Sequence, residues 1–286
     1  MFFFVLNPIT VYIAFSHLPA SQVVAAGFTL PLTFNWQFFV NSVGTGPLWF
    51  VEMLLIFEFG YALWRIARKG RAKAQGEEDR LFPSYRKIAA FILVLALSAY
   101  LLRIIVPINA QVLSFPSLFD LPQYLSFFLI GTVAARGDWL RKMPDAMAKC
   151  FFEIALVASA TLLILAIIGT DVSSLGWGSL VGYGSLSSAI YALWDSTFAV
   201  GMSMFAIAYF RRHFDHPGRL WSLASKNFYA VFILQAPVIV TVAAVLLTSV
   251  HIESLLKFGL AAVIIVPSTW ALAYLVKRIP LVDRVL

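Results

Sequence analysis

Glu52, Glu58, Arg103, Glu153 and Asp195 each stand within or at the edge of a long apolar run. Inside a bilayer an ionisable side chain costs about 2.5–3.5 kcal/mol on insertion scales, so such residues are normally paired or functional. Depth sorts these five. Glu52 comes about one helical turn into its run from the outer side, Arg103 closes the next run, and Asp195 lies in the outer third of the sixth. Those three can meet in one polar patch near the outer surface. Trp49, three residues before Glu52, shares its helix face. Two chemistries fit the patch: an Arg–carboxylate clamp that only holds helices together, or an acceptor pocket opening outward. Glu58 falls off the Glu52 face and Glu153 lies near the inner end of its run, so both have more local explanations.

Gln235 precedes Ala236-Pro237 deep in another run. A proline there frees a backbone carbonyl and kinks the helix. The glutamine amide either lines a cavity or satisfies the opened backbone. The four histidines, His17, His213, His216 and His251, fall in loops or at run ends, without metal-ligand spacing. Cys150 is the only cysteine, which excludes an internal disulfide framework and a Cys-ligated metal site. No glycine-rich phosphate loop, nucleophile elbow or H-E-x-x-H is present, and no metal is expected.

These residues must be positioned by membrane helices. The chain is 61% hydrophobic and 12% charged, against about 25% charged for soluble domains, and its mean hydropathy is +0.86. A bilayer crossing takes about 20 mostly apolar residues as helix. Eight candidates recur along the chain: 2–16, 47–66, 88–108, 121–135, 151–168, 189–210, 228–250 and 255–276. The expected fold is an all-α transmembrane bundle of about eight spans, one membrane domain over residues 1–286. The first run lacks a basic leader and a clean cleavage site, so it does not read as a signal peptide.

The loops set the orientation through the positive-inside rule. Basic residues crowd the segments 65–87, 136–149 and 211–226 and the tail from 277. Of the 21 Lys and Arg residues, only Arg103 and Lys257 fall on the opposite side. The basic side is therefore expected in the cytoplasm, with residues 1 and 286 on it. The net charge of +7 is topological and suits anionic headgroups, which excludes nucleic acid as a partner and leaves the lipid bilayer.

Several stretches carry a resemblance. Gly46-Pro47-Leu48-Trp49-Phe50-Val51-Glu52 is similar to the G-P-L-W-F-L-E signature of bacterial acyltransferase 3 membrane proteins. Phe128-Leu129-Ile130-Gly131, running on to Arg136-Gly137-Asp138-Trp139-Leu140, resembles their F-x-x-G…R-G-W-L element. Asn227 to Val238 resembles their N-x-Y-x-x-Y-x-x-H-x-P-V span, and the ending from Leu256 to Pro280 also reads like theirs. The resemblance covers essentially the whole chain. It implies an enzyme of the bacterial inner membrane that transfers an acyl group, commonly acetyl from cytoplasmic acetyl-CoA, to a hydroxyl of an extracytoplasmic carbohydrate or glycolipid. It implies a histidine base and basic groups for the CoA phosphates.

The chain departs from that pattern in one respect. The family's first span carries an arginine and, about ten residues on, the presumed catalytic histidine, and an arginine-rich motif follows its second span. Neither is present, and Gln235 stands where many relatives have a histidine. No residue here inherits the catalytic role, and the expectation is a chain that starts at the family's third span. Trp49, Glu52, Arg103, Asp195 and Gln235 remain the substrate-binding candidates. The competing readings are a non-catalytic membrane partner or remnant of such an enzyme and, third, a small-molecule transporter, against which no repeat between the halves is seen.

Overall fold

The computed structural model describes residues 6–18, 20–25, 31, 33–42, 44, 46–68, 81–106, 118–170, 182, 184–214, 218–250 and 252–278. The described elements are helices: α1 Asn7–Ser16, α2 Ala20–Ala25, α3 Trp36–Ser42, α4 Trp49–Arg68, α5 Tyr85–Ile105, α6 Leu121–Arg136, α7 Trp139–Lys142, α8 Asp145–Ala158, α9 Ile164–Ile168, α10 Leu186–His213, α11 Arg219–Ser249 and α12 Ser254–Lys277. Short 3₁₀ turns at Gly46–Leu48 and Leu118–Asp120 lead into α4 and α6, and a π-helical turn, Ser159–Leu163, joins α8 to α9.

Six described helical stretches are long and apolar enough to cross a membrane: Tyr85–Ile105, Leu118–Arg136, Asp145–Ile168, Leu186–His213, Asn227–Leu246 and Ser254–Lys277. Helix α4 has the length of a span, at 20 residues, but carries Glu52, Glu58 and Arg65. The ten described residues of α1 reach only about 15 Å, half the hydrocarbon thickness. The fold is the expected all-α polytopic bundle. Most boundaries shift by one to four residues from the sequence reading, and the start of the fifth span shifts by six. The fourth span starts at Leu118 rather than Leu121 and the fifth at Asp145 rather than Phe151. At Asp145 the polar start of an amphipathic turn already buries Met147 and Ala148, which a hydropathy window discounts.

Large apolar side chains remain exposed along the spans; on α5 alone Leu93, Val94, Leu97, Leu101 and Ile105 are more than half exposed. Contiguous apolar surface of this kind is held in lipid, and helices satisfy their own backbone there.

The described chain divides into two compact units, Met1–Glu52 with Pro217–Leu286, and Met53–His216. In the first, α11 and α12 pack together around Ala230, Leu234 and Ala273. The two alanines are fully buried, and small residues let helix backbones approach in lipid. Leu48 and Val51 meet Phe232, Ile233 and Ala236. Helix α11 runs on through Pro237, and Thr241 Oγ1 donates to the Pro237 carbonyl at 2.7 Å.

In the second unit α10 is the element the others pack on, chiefly α5 and α8. Ile88, Ile92, Leu95, Met147, Phe151 and Val200 are among its core residues. Phe152 stacks on Phe205 with centroids 3.9 Å apart. Gly201 brings α10 against the backbone of α8 at Phe151. At the basic end Arg211 donates to the carbonyls of Leu140, Arg141 and Met143 at 2.9, 2.9 and 3.0 Å and pairs with Asp145. Arginine's five-donor fork allows this, and it caps the carbonyls that α7 leaves open.

Candidate functional site

Arg103 occupies the last turn of α5 and is 1% exposed. Its Nη2 donates to Asp120 Oδ1 and to Asp195 Oδ2, each at 2.7 Å. Asp120 is the residue before α6, and Pro122 follows in the first turn, where its missing N–H costs nothing. An aspartate in that place ordinarily caps the helix with its side chain. Here it makes no capping bond, because the carboxylate is committed to Arg103. Asp195 enters from α10, with Tyr191 one turn before it. The Tyr191 and Phe119 rings flank the guanidinium at 5.2 and 5.4 Å, a cation–π geometry that helps hold a charge away from water.

Among the described residues the cluster is not saturated: Arg103 Nε and Nη1 are buried and have no hydrogen-bond partner there. Elsewhere on α10 the hydroxyls of Ser188 and Ser196 are likewise buried without a partner among the described residues. A buried donor left unpaired costs about 1–3 kcal/mol. A span that keeps such donors beside two carboxylates is poised to take an oxygen-bearing group. The carboxylates can accept from a hydroxyl, and the guanidinium can donate to an oxygen that gains negative charge.

A second feature adjoins it. Trp194 Nε1 donates to Ser159 Oγ at 3.0 Å, and Ser159 Oγ donates to the Ala155 carbonyl at 2.8 Å. Ser159 opens the π-helical turn, a departure common at functional positions, and Trp194 precedes Asp195 in α10.

The structure thus brings together Arg103 and Asp195 from the sequence candidates, and adds Asp120. Trp49 and Glu52 start α4 in the first unit, and Gln235 lies on α11 in the same unit. Glu52 Oε2 is buried without a partner among the described residues. Glu58 is exposed. Glu153 pairs with Lys149 one turn away at 3.8 Å, both largely exposed. His213 stacks on Tyr209 with centroids 4.4 Å apart, and His216 and His251 lie outside the described residues.

A bundle of apolar helices with a charged cluster buried in its spans defines a multi-pass membrane protein. The chain belongs to the acyltransferase 3 family, whose model, described as an acyltransferase domain, matches residues 2–276. Searches of curated proteins and of solved structures gave no significant match.

Proposed function

We propose that this chain takes part in moving an acyl group, with acetyl-CoA in the cytoplasm as donor, to a hydroxyl of a carbohydrate or glycolipid beyond the bacterial inner membrane. The thioester C–S bond breaks, the ester C–O bond forms, and the hydroxyl proton ends on the CoA thiol. What carries the reading is a buried Arg103–Asp120–Asp195 cluster, with guanidinium donors unpaired among the described residues, in a member of an acyltransferase family. Arg103 and Asp195 are assigned to the acceptor side, where they orient the hydroxyl; Trp49, Glu52 and Gln235, in the other unit, are each proposed as substrate-binding residues. The general base is assigned to none of these residues.

Two experiments test it. Glu52→Gln should abolish transfer in cells while the protein stays in the membrane at the normal level. The readout is mass spectrometry of ester-linked acetyl groups on surface glycans, and unchanged acetylation would remove Glu52 from the substrate-binding residues. For orientation, Thr170→Cys in a Cys150→Ala background should react with an impermeant maleimide from outside, whereas Gln75→Cys should not. The reverse pattern would invert the bundle.

A further inference from the structure

The second unit holds an apolar cavity of about 360 Å³ among α5, α6, α7 and α10, within the range of ligand cavities, about 300–1,000 Å³. Phe82, Phe91, Phe127, Ile130, Trp139 and Met204 line it; the polar groups among its side chains are those of Lys87 and Ser203 and the Trp139 indole N–H. Ile130, Leu140 and Ile207 on its wall are 36%, 50% and 37% exposed, so it opens sideways on the apolar surface. Water does not stay in space of this character, and empty space forfeits dispersion contacts along its whole lining. The occupant therefore has an alkyl body.

Its head is set by charge. Lys87 is exposed and makes no ion pair among the described residues. Arg86 beside it and Arg141 beside Leu140 are also exposed. Of the nearby carboxylates among the described residues, Asp145 is taken by Arg211, which leaves Asp138 as a partial counterweight. We propose that the cavity holds one alkyl chain of an anionic phospholipid, with the phosphate at Lys87. The bilayer supplies that molecule at high concentration through the lateral opening, and a juxtamembrane lysine favours it over a neutral lipid.

Gly131 makes the test clean. It lines the cavity, and a Cβ built there meets nothing within 4 Å. Gly131→Leu therefore fills the space without a backbone clash, and helix propensity favours the change. The full chain, delipidated in neutral detergent, is incubated with dioleoyl phosphatidylglycerol or dioleoyl phosphatidylcholine, and bound lipid is counted by native mass spectrometry. Wild type should retain phosphatidylglycerol in preference. Lys87→Gln should weaken that retention about fivefold and leave phosphatidylcholine unchanged. Gly131→Leu should lose the tightly held lipid without a lower unfolding midpoint; Ser203→Leu, filling from α10, should do the same and stands in if the first variant does not fold. Retention by both filled variants equal to wild type overturns the proposal. So does equal binding of the two lipids in wild type. So does palmitoyl-CoA, rather than phosphatidylglycerol, being the molecule whose binding Gly131→Leu removes.

Discussion

Arg103→Met should lower the unfolding midpoint of the detergent-solubilised protein by on the order of 10 °C. The substitution keeps the length of an apolar side chain but strands Asp120 and Asp195, which are only 21% and 23% exposed. Removing one partner from a buried ionic cluster costs about 3–5 kcal/mol, and each kcal/mol moves the midpoint of a domain this large by about 2–4 °C. The damage comes from uncompensated charge, so adding Asp120→Asn and Asp195→Asn to the same chain should return most of the loss. Asp120→Asn alone should be milder, since Arg103 keeps Asp195. Arg103→Lys retains the charge but not the planar fork and should fall between. Fluorescence-detected size-exclusion chromatography after heating reads all four. A midpoint within a degree of wild type for Arg103→Met would mean that the guanidinium is not the counter-charge of this cluster. Transfer activity separates holding from chemistry: in the neutralised triple variant the stability returns and the activity does not.

How much of this was legible depends on the range of the interaction. Helix existence and type followed from hydropathy, because a span must be apolar wherever lipid touches it. Depth placed Arg103 at the level of both Asp195 and Glu52, since a lone arginine in hydrocarbon needs a partner at its own level, but it did not single out Asp195 as the one that pairs. Asp120 was not legible. Standing before Leu121-Pro122, it carries the local signature of a helix cap, and nothing within a few residues reveals that its carboxylate is drawn to a residue 17 positions earlier. The early start of α8 was hidden by Asp145 and Lys149, which depress any apolar average although Met147, Ala148 and Phe151 are buried. The π-helical turn at Ser159 has no compositional mark; it goes with a hydroxyl that both donates to the Ala155 carbonyl and accepts from Trp194, 35 residues away.

Gly201 was equally silent, and its substitution carries the second large effect. A methyl group built there lies 2.4 Å from the Phe151 carbonyl oxygen and 2.9 Å from the Ala155 Cβ. Neither neighbour is the free end of a flexible side chain, so α8 and α10 have to part. Small residues at such crossings allow the close backbone approach that holds helices together in lipid. Gly201→Ala should therefore destabilise by about 1–3 kcal/mol, the usual penalty for an overpacked core, and Gly201→Val by more. The separation also breaks the Phe152–Phe205 stack, which lies next to Phe151 on α8 and one turn from Gly201 on α10. Gly131 is the internal control, since it too lies within a helix but has open space around it. There alanine should gain up to about 1 kcal/mol from helix propensity. The same chemical change thus has opposite signs at two positions of the second unit, and thermal midpoints of the two alanine variants decide it. A Gly201→Ala protein as stable as Gly131→Ala would mean that α8 and α10 do not meet at the Gly201–Phe151 crossing.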